Sequence, residues 1–233
     1  MGKLQNRIIK TTMAVILVIS MVFLAREAAQ LTISDNVVSS GPRVVIDAGH
    51  GGNDPGKVGI NGALEKEINL AIAKQLQIFL EANDVEVIMT REEDVGLYTE
   101  GERNKKVQDM KKRIEIIENE KPDIVVSIHQ NSYHQESVHG AQVFYYDGST
   151  EGEALAKIMQ TQLVKGLDPD NHRQEKANDS YYLLKKTSSP IIIVECGFLS
   201  NNQESALLAT EEYQEKVAWE IHLGILQYLN GKS

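Results

Sequence analysis

Three apolar runs in this sequence each end in a side chain able to bind a metal or move a proton. Val44-Val45-Ile46-Asp47 leads into Ala48-Gly49-His50, Ile124-Val125-Val126-Ser127-Ile128 delivers His129, and Ile191-Ile192-Ile193-Val194 delivers Glu195. Packing does not require such residues at all three places; a shared site does. A catalytic zinc takes about three protein ligands and keeps one position open for water. His50 and His129 supply two, and the third should be a carboxylate or histidine at the same mouth. Glu65 and Glu67 both open the helix that follows the glycine-rich loop, and residue type does not choose between them. Either could instead simply complement the helix N-terminus, worth about 0.3–1 kcal/mol.

Two neutral imidazoles and one carboxylate leave zinc with a net positive charge, so its water can fall towards a pKa of about 7. Glu195 then reads as the base that takes the water's proton and passes it to a leaving amine. A buried Glu195 without a function would need a basic partner, for which Arg91 and Arg113 are the candidates. His134, His139 and His172 have no strand-end setting, and His222 falls within the last helix as a surface or satisfied core residue.

Continuous β-branched runs suit strands covered on both faces, and parallel sheets place their ligands beyond the carboxyl ends of the strands. From Arg43 strands and helices alternate. Strands are predicted over 44–47, 85–89, 124–128, 141–146 and 191–194. The helices fall over 65–83, about 102–119, 153–166, 203–209 and about 211–229. The inward faces are Ile68, Ile72, Leu76 and Phe79/Leu80; Val107, Met110, Ile114 and Ile117; Leu155, Met159 and Leu163; and Val217, Ile221, Ile225 and Tyr228. Residues 171–180 form a polar stretch, and 181–185 a short strand or turn. The loop over 48–64 carries six glycines and Pro55, so it runs close to whatever binds there. The fold class expected is α/β, a three-layer sandwich with a mostly parallel, mixed central sheet flanked by helices.

At 233 residues and 42% hydrophobic content the chain can bury a full core. Its net charge is −9, and the first 25 residues hold Lys3, Arg7 and Lys10 with no acids, so the body is more acidic still. That disfavours nucleic acid and anionic membrane surfaces as partners. Cys196 is the single cysteine, which excludes an intramolecular disulfide and a zinc ribbon. In an extended strand its thiol points away from the face that Glu195 uses. Residues 13–25 form a charge-free apolar run of 13 residues behind a basic start. That is the size of a signal-peptide core and short for a membrane span of about 20. Residues 1–29 are therefore expected to be a signal peptide or an N-terminal membrane anchor, 30–42 a linker, and 43–233 the catalytic domain. Export across the cytoplasmic membrane follows, secreted or tethered through residues 13–25.

Five ordered stretches carry a resemblance: Asp47–Gly56 (DAGHGGNDPG), Glu65–Leu70 (EKEINL), Thr90-Arg91, Ser127–Ser132 (SIHQNS) and Val194–Asn201 (VECGFLSN). Over roughly 43–230 the chain resembles the zinc-dependent N-acetylmuramoyl-L-alanine amidases of the Amidase_3 type. The resemblance implies His50, Glu65 and His129 as zinc ligands and Glu195 as catalytic acid/base. It also implies peptidoglycan as substrate, cut at the amide between the lactyl group of muramic acid and the first L-alanine of the stem peptide. Asn171-His172-Arg173, 177–184 and Val194–Asn201 resemble the spore-cortex branch, which prepares muramic-δ-lactam formation for germination. Lys57-Val58 departs from the usual small residue after the Asp-Pro-Gly turn. The chain shows no wall-binding repeat, and an acidic body facing an anionic wall calls for an activating or targeting protein partner or its own anchor.

Three other readings compete. A zinc peptidase acting within the stem peptide would use the same metal site and differ only in its products. An inactive wall-binding regulator has no reason to keep His50, Glu65, His129 and Glu195 together. A thiol enzyme built on Cys196 lacks a nearby histidine in sequence. Asn131 could donate to substrate or simply serve a turn.

Overall fold

The structure, a computed structural model, describes residues 41–99, 101 and 103–231, together with 2, 13, 20 and 21. Nearly all of the expected 1–29 leader or anchor, with its 13–25 run, and of the expected 30–42 linker thus lies outside the described residues. Residues 1–40 and 41–233 are separate units, and the second is the α/β domain. Among the described residues no helix is long and apolar enough to cross a membrane.

In chain order the domain runs β1 (Arg43–Ala48), α1 (Glu65–Glu81), β2 (Glu86–Met89), α2 (Lys105–Glu120), β3 (Ile124–Asn131), β4 (Gln142–Tyr146), α3 (Thr150–Leu167), β5 (Lys176–Asn178), α4 (Tyr182–Lys186), β6 (Ile191–Phe198), α5 (Asn202–Leu208) and α6 (Glu211–Asn230). One six-stranded sheet has the order β2-β1-β3-β6-β4-β5. The first four of these run parallel, β4 is antiparallel to β6, and β5 is parallel to β4. The mostly parallel, mixed sheet read from the sequence is the one observed.

Strand periodicity sorts the core into two layers. Val44, Ile46 and Ala48 of β1, with Ile124, Val126 and Ile128 of β3 and Ile192, Val194 and Cys196 of β6, pack against α1, α3 and α6. Val45, Val125, Ile191 and Ile193 face the other way, onto Ile117 of α2 and Leu183 and Leu184 of α4. That second layer is the thinner one. By the same alternation Asp47, Ser127, His129 and Glu195 fall on its side. The register sets Asp47 beside Ser127 and His129 beside Glu195, on strands about 4.8 Å apart.

Two expectations need correction, and the open choice between strand and turn over 181–185 is decided. Residues 182–186 form a helical turn, because Leu183 and Leu184 are both buried in one cluster and a strand would send them to opposite faces. The polar stretch contains a three-residue edge strand, 176–178, held by backbone pairing to β4 with no apolar pattern to announce it. Val107 is 53% exposed, since α2 begins at Lys105 and its first turn overhangs the sheet; Met110, Ile114 and Ile117 do pack inward.

Candidate metal centre and active site

His50 sits two residues past the end of β1 with φ +63°, a left-handed conformation rarely taken by a non-glycine residue. His129 stands in β3, where the register shifts between His129 and Asn131. Glu65 is the first residue of α1, whose N-cap, Leu64, offers no side-chain hydrogen bond. Its carboxylate is turned into the protein and is 2% exposed, whereas Glu67 is exposed.

These three side chains converge. Glu65 Oε1 lies 3.1 Å from His50 Nε2 and 2.9 Å from His129 Nδ1, and it accepts the Gln130 backbone N–H at 3.1 Å. Glu65 Oε2 accepts the Lys57 N–H at 2.7 Å. The two imidazoles stand edge to face with centroids 5.0 Å apart. One atom from each residue falls within 4.8 Å of the others, the spacing a metal ion would need. Close approach makes Gly49 obligatory, because a Cβ there would lie 2.3 Å from the His129 ring. At Gly56, with φ +67°, a Cβ would lie 2.5 Å from Glu65 Oε2.

The outer contacts suit a cation as well. Asp54 Oδ2 lies 3.0 Å from His50 Nδ1, an arrangement that holds a proton on Nδ1 when Nε2 offers its lone pair inward to a cation. Burial by itself lowers the His50 pKa, but the Glu65 and Asp54 carboxylates outweigh it and raise it. Burial likewise pushes Glu65 up, and the two histidines more than reverse it, holding it well below the usual carboxylate range. Two imidazole nitrogens and a carboxylate oxygen form a donor set that fits zinc.

Glu195 lines the same cavity, of about 750 Å³, as His50, Glu65 and His129. It is 8% exposed, and its buried Oε2 has no hydrogen-bond partner among the described residues. Burial raises its pKa to about 7, with Glu65 adding to the rise and the two histidines opposing it. Neither arginine considered as its partner serves it. Arg91 binds the backbone carbonyls of Ala48, Gly49, Lys66 and Glu93. Arg113 pairs with Asp47 and Asp109, both at 2.6 Å. Asn131 lines the cavity too, its Oδ1 accepting the Ser132 N–H as a turn residue does.

Cys196 is buried in the opposite layer, its Sγ directed to the Val194 carbonyl, and burial pushes its thiol pKa up. A thiol enzyme is thereby excluded. His222 is 3% exposed, with Nε2 bonded to Asn83, and His134, His139 and His172 are exposed away from the cavity lining. The sequence pattern alone gave no role to Asp54, to Asn69, whose Nδ2 donates to the Gly49 carbonyl at 3.1 Å, or to the network in which Thr90, Ser127 and Arg113 donate to the Asp47 carboxylate. The signal was present in Asp47 and Ser127, which are polar residues inside otherwise β-branched strands.

Comparison with known proteins decides the family. A family model described as N-acetylmuramoyl-L-alanine amidase matches residues 44–227. The chain belongs to the N-acetylmuramoyl-L-alanine amidase family. It is 37% identical over 196 residues to the germination-specific N-acetylmuramoyl-L-alanine amidase of Bacillus subtilis, covering 83% of this chain and 82% of that protein. Among solved structures it is similar to the CwlD amidase of Clostridioides difficile, determined in complex with the GerS lipoprotein. That match has a TM-score of 0.80 and 42% identity, covering 82% of this chain and all of that one. The amidase AmiC2 of Nostoc punctiforme matches at a TM-score of 0.70 and 37% identity, over 81% of this chain and 97% of that one. The chain is thus a hydrolase of peptidoglycan, acting on the amide between the lactyl group of N-acetylmuramic acid and the L-alanine of the stem peptide.

Proposed function

We propose that this amidase is zinc-dependent, with His50, Glu65 and His129 as ligands and Glu195 as catalytic acid/base. The convergence of His50 and His129 on one Glu65 oxygen carries the reading. Zinc, when bound, supplies a Lewis acid that polarises the scissile carbonyl and lowers the pKa of a water molecule. Glu195 takes the proton from the attacking water as the C–O bond forms. It returns that proton to the alanine nitrogen as the C–N bond breaks, leaving a lactyl carboxyl and a free stem amine. Its unpartnered oxygen and a burial that favours the protonated form suit both halves of that cycle. Asp54 fixes the tautomer of His50.

We further infer that residues 43–233 act as the catalytic domain, behind an export leader or anchor in 1–29 and a linker in 30–42. The site of action is the cell wall or the spore intermembrane space. The likeness to a germination-specific amidase supports a role in forming muramic-δ-lactam in spore cortex. The likeness to an amidase solved with a lipoprotein supports a protein partner that activates or targets the enzyme. Mass spectrometry of vegetative and spore-type peptidoglycan digested with and without chelator tests the reading. Lactyl carboxyls and N-terminal alanine should appear only without chelator. Chelator-insensitive cleavage, or cuts within the stem peptide, would overturn it.

A further inference from the structure

We infer that Arg91 and Arg113 are positioning residues for the cation, setting where His50 stands and how far its loop lies from Glu65. The inference rests on the zinc site proposed above. Where β1 ends and the chain turns through His50, three successive carbonyls, those of Ala48, Gly49 and His50, lie inside the protein, where each must find a donor. Two guanidinium groups capture all three. Arg91 Nε and Arg113 Nη1 both donate to the Ala48 carbonyl at 2.8 Å. Arg91 Nη2 donates to the Gly49 carbonyl at 3.1 Å and Arg113 Nη2 to the His50 carbonyl at 2.7 Å.

The two arginines differ in what they tie the turn to. Arg91 Nη2 also donates to the Lys66 carbonyl at 2.7 Å, so one nitrogen bridges the His50 loop to the first turn of the helix that begins with Glu65. Arg113 reaches the same turn from α2, with Asp47 Oδ1 and Asp109 Oδ2 each gripping it at 2.6 Å. Both guanidiniums are buried, 3% and 2% exposed as whole residues, so solvent cannot substitute for either. Only a planar fork with several N–H groups spans these partners at once; a lysine ammonium keeps the charge and loses the reach. The 3.1 Å separation of His50 Nε2 from Glu65 Oε1 is the quantity this clamp sets.

Arg91→Lys, Arg113→Lys and Asp109→Asn test the inference in the full chain. Ile225→Ala, in the opposite helix layer, is a control for general destabilisation. Each protein is stripped with chelator, and its zinc affinity is read by competition with a chromophoric chelator alongside the melting midpoint of the stripped form. Both lysine variants should bind zinc about ten-fold more weakly or worse, in the range seen when groups that orient ligands are removed. Asp109→Asn should weaken it several-fold. Ile225→Ala should lower the midpoint and leave affinity within two-fold of wild type. A folded lysine variant with wild-type affinity, or losses no larger than those of Ile225→Ala, would overturn the inference. Should the lysine variants fail to fold, wild-type affinity in Asp109→Asn would overturn it instead. A wild-type chain that binds no zinc would sink the metal site itself, and the inference with it.

Discussion

Asp47 on β1 and Glu195 on β6 are both buried carboxylates on the same face of one sheet, yet their surroundings are opposite. Asp47, 1% exposed, has both oxygens engaged: Oδ1 takes the Thr90 hydroxyl and an Arg113 N–H, and Oδ2 takes the Ser127 hydroxyl. Burial by itself pushes its pKa up, but the Arg113 charge and the Ser127 hydroxyl hold it at about 2. Glu195 has a bare oxygen, and burial lifts its pKa to about 7. One carboxylate is a fixed anion that organises the turn carrying His50. The other is free to exchange a proton near neutral pH. Burial alone therefore assigns no role; the partners do.

Substitutions at the two carboxylates should diverge most sharply. Glu195→Gln should lower the amidase turnover number by about 10²–10⁴-fold, the usual worth of general acid–base catalysis, with an unchanged or higher melting midpoint. Turnover on purified muropeptide together with thermal melting checks it. Asp47→Asn should do the reverse to the fold, because it leaves Arg113 buried without its main counter-charge. A loss of about 3–5 kcal/mol is expected in denaturant titration.

Their pH dependence should have opposite signs. Asp47 has its pKa depressed from 3.8 to about 2, so its stabilisation is present above about pH 4 and fades as pH falls towards 2. Glu195 is raised from 4.5 to about 7, so the folded state is favoured fully below about pH 4.5 and loses ground as pH climbs through 7. In chelated protein, wild type should therefore lose roughly 3 kcal/mol relative to Glu195→Gln between those limits, at about 1.4 kcal/mol per unit. Equal slopes in the two proteins would erase the contrast between the carboxylates. Asp54→Asn should weaken cation affinity about 10–100-fold in a chelator competition while barely moving the midpoint of the cation-free form. The smallest effect belongs to Cys196→Ala, with about 1 kcal/mol lost and turnover unaltered, since that thiol faces the other layer.

The parts of this molecule legible in its sequence are those where one period governs many residues. Runs such as 191–194 and the 3.6-residue stripe from Val217 to Tyr228 announced the strands and the closing helix. The apolar runs leading into them marked His129 and Glu195, although β3 and β6 continue past both rather than ending there, and the family motifs implied Glu65. Elements that rest on few residues escaped: β5 depends on three backbone pairings, and α4 on two adjacent leucines. The Arg113 clamp was hidden for a different reason. Its partners Asp47 and His50 lie 66 and 63 positions away in the chain, and only the folded sheet brings α2 over the end of β1.

Elemental analysis of purified Glu195→Gln beside wild type puts the division of labour among the four site residues to its most direct test. With His50, Glu65 and His129 as the ligands and Glu195 outside their grip, both proteins should carry one zinc per chain while only wild type turns over. Zinc lost selectively from Glu195→Gln, or absent from active wild type, would contradict it.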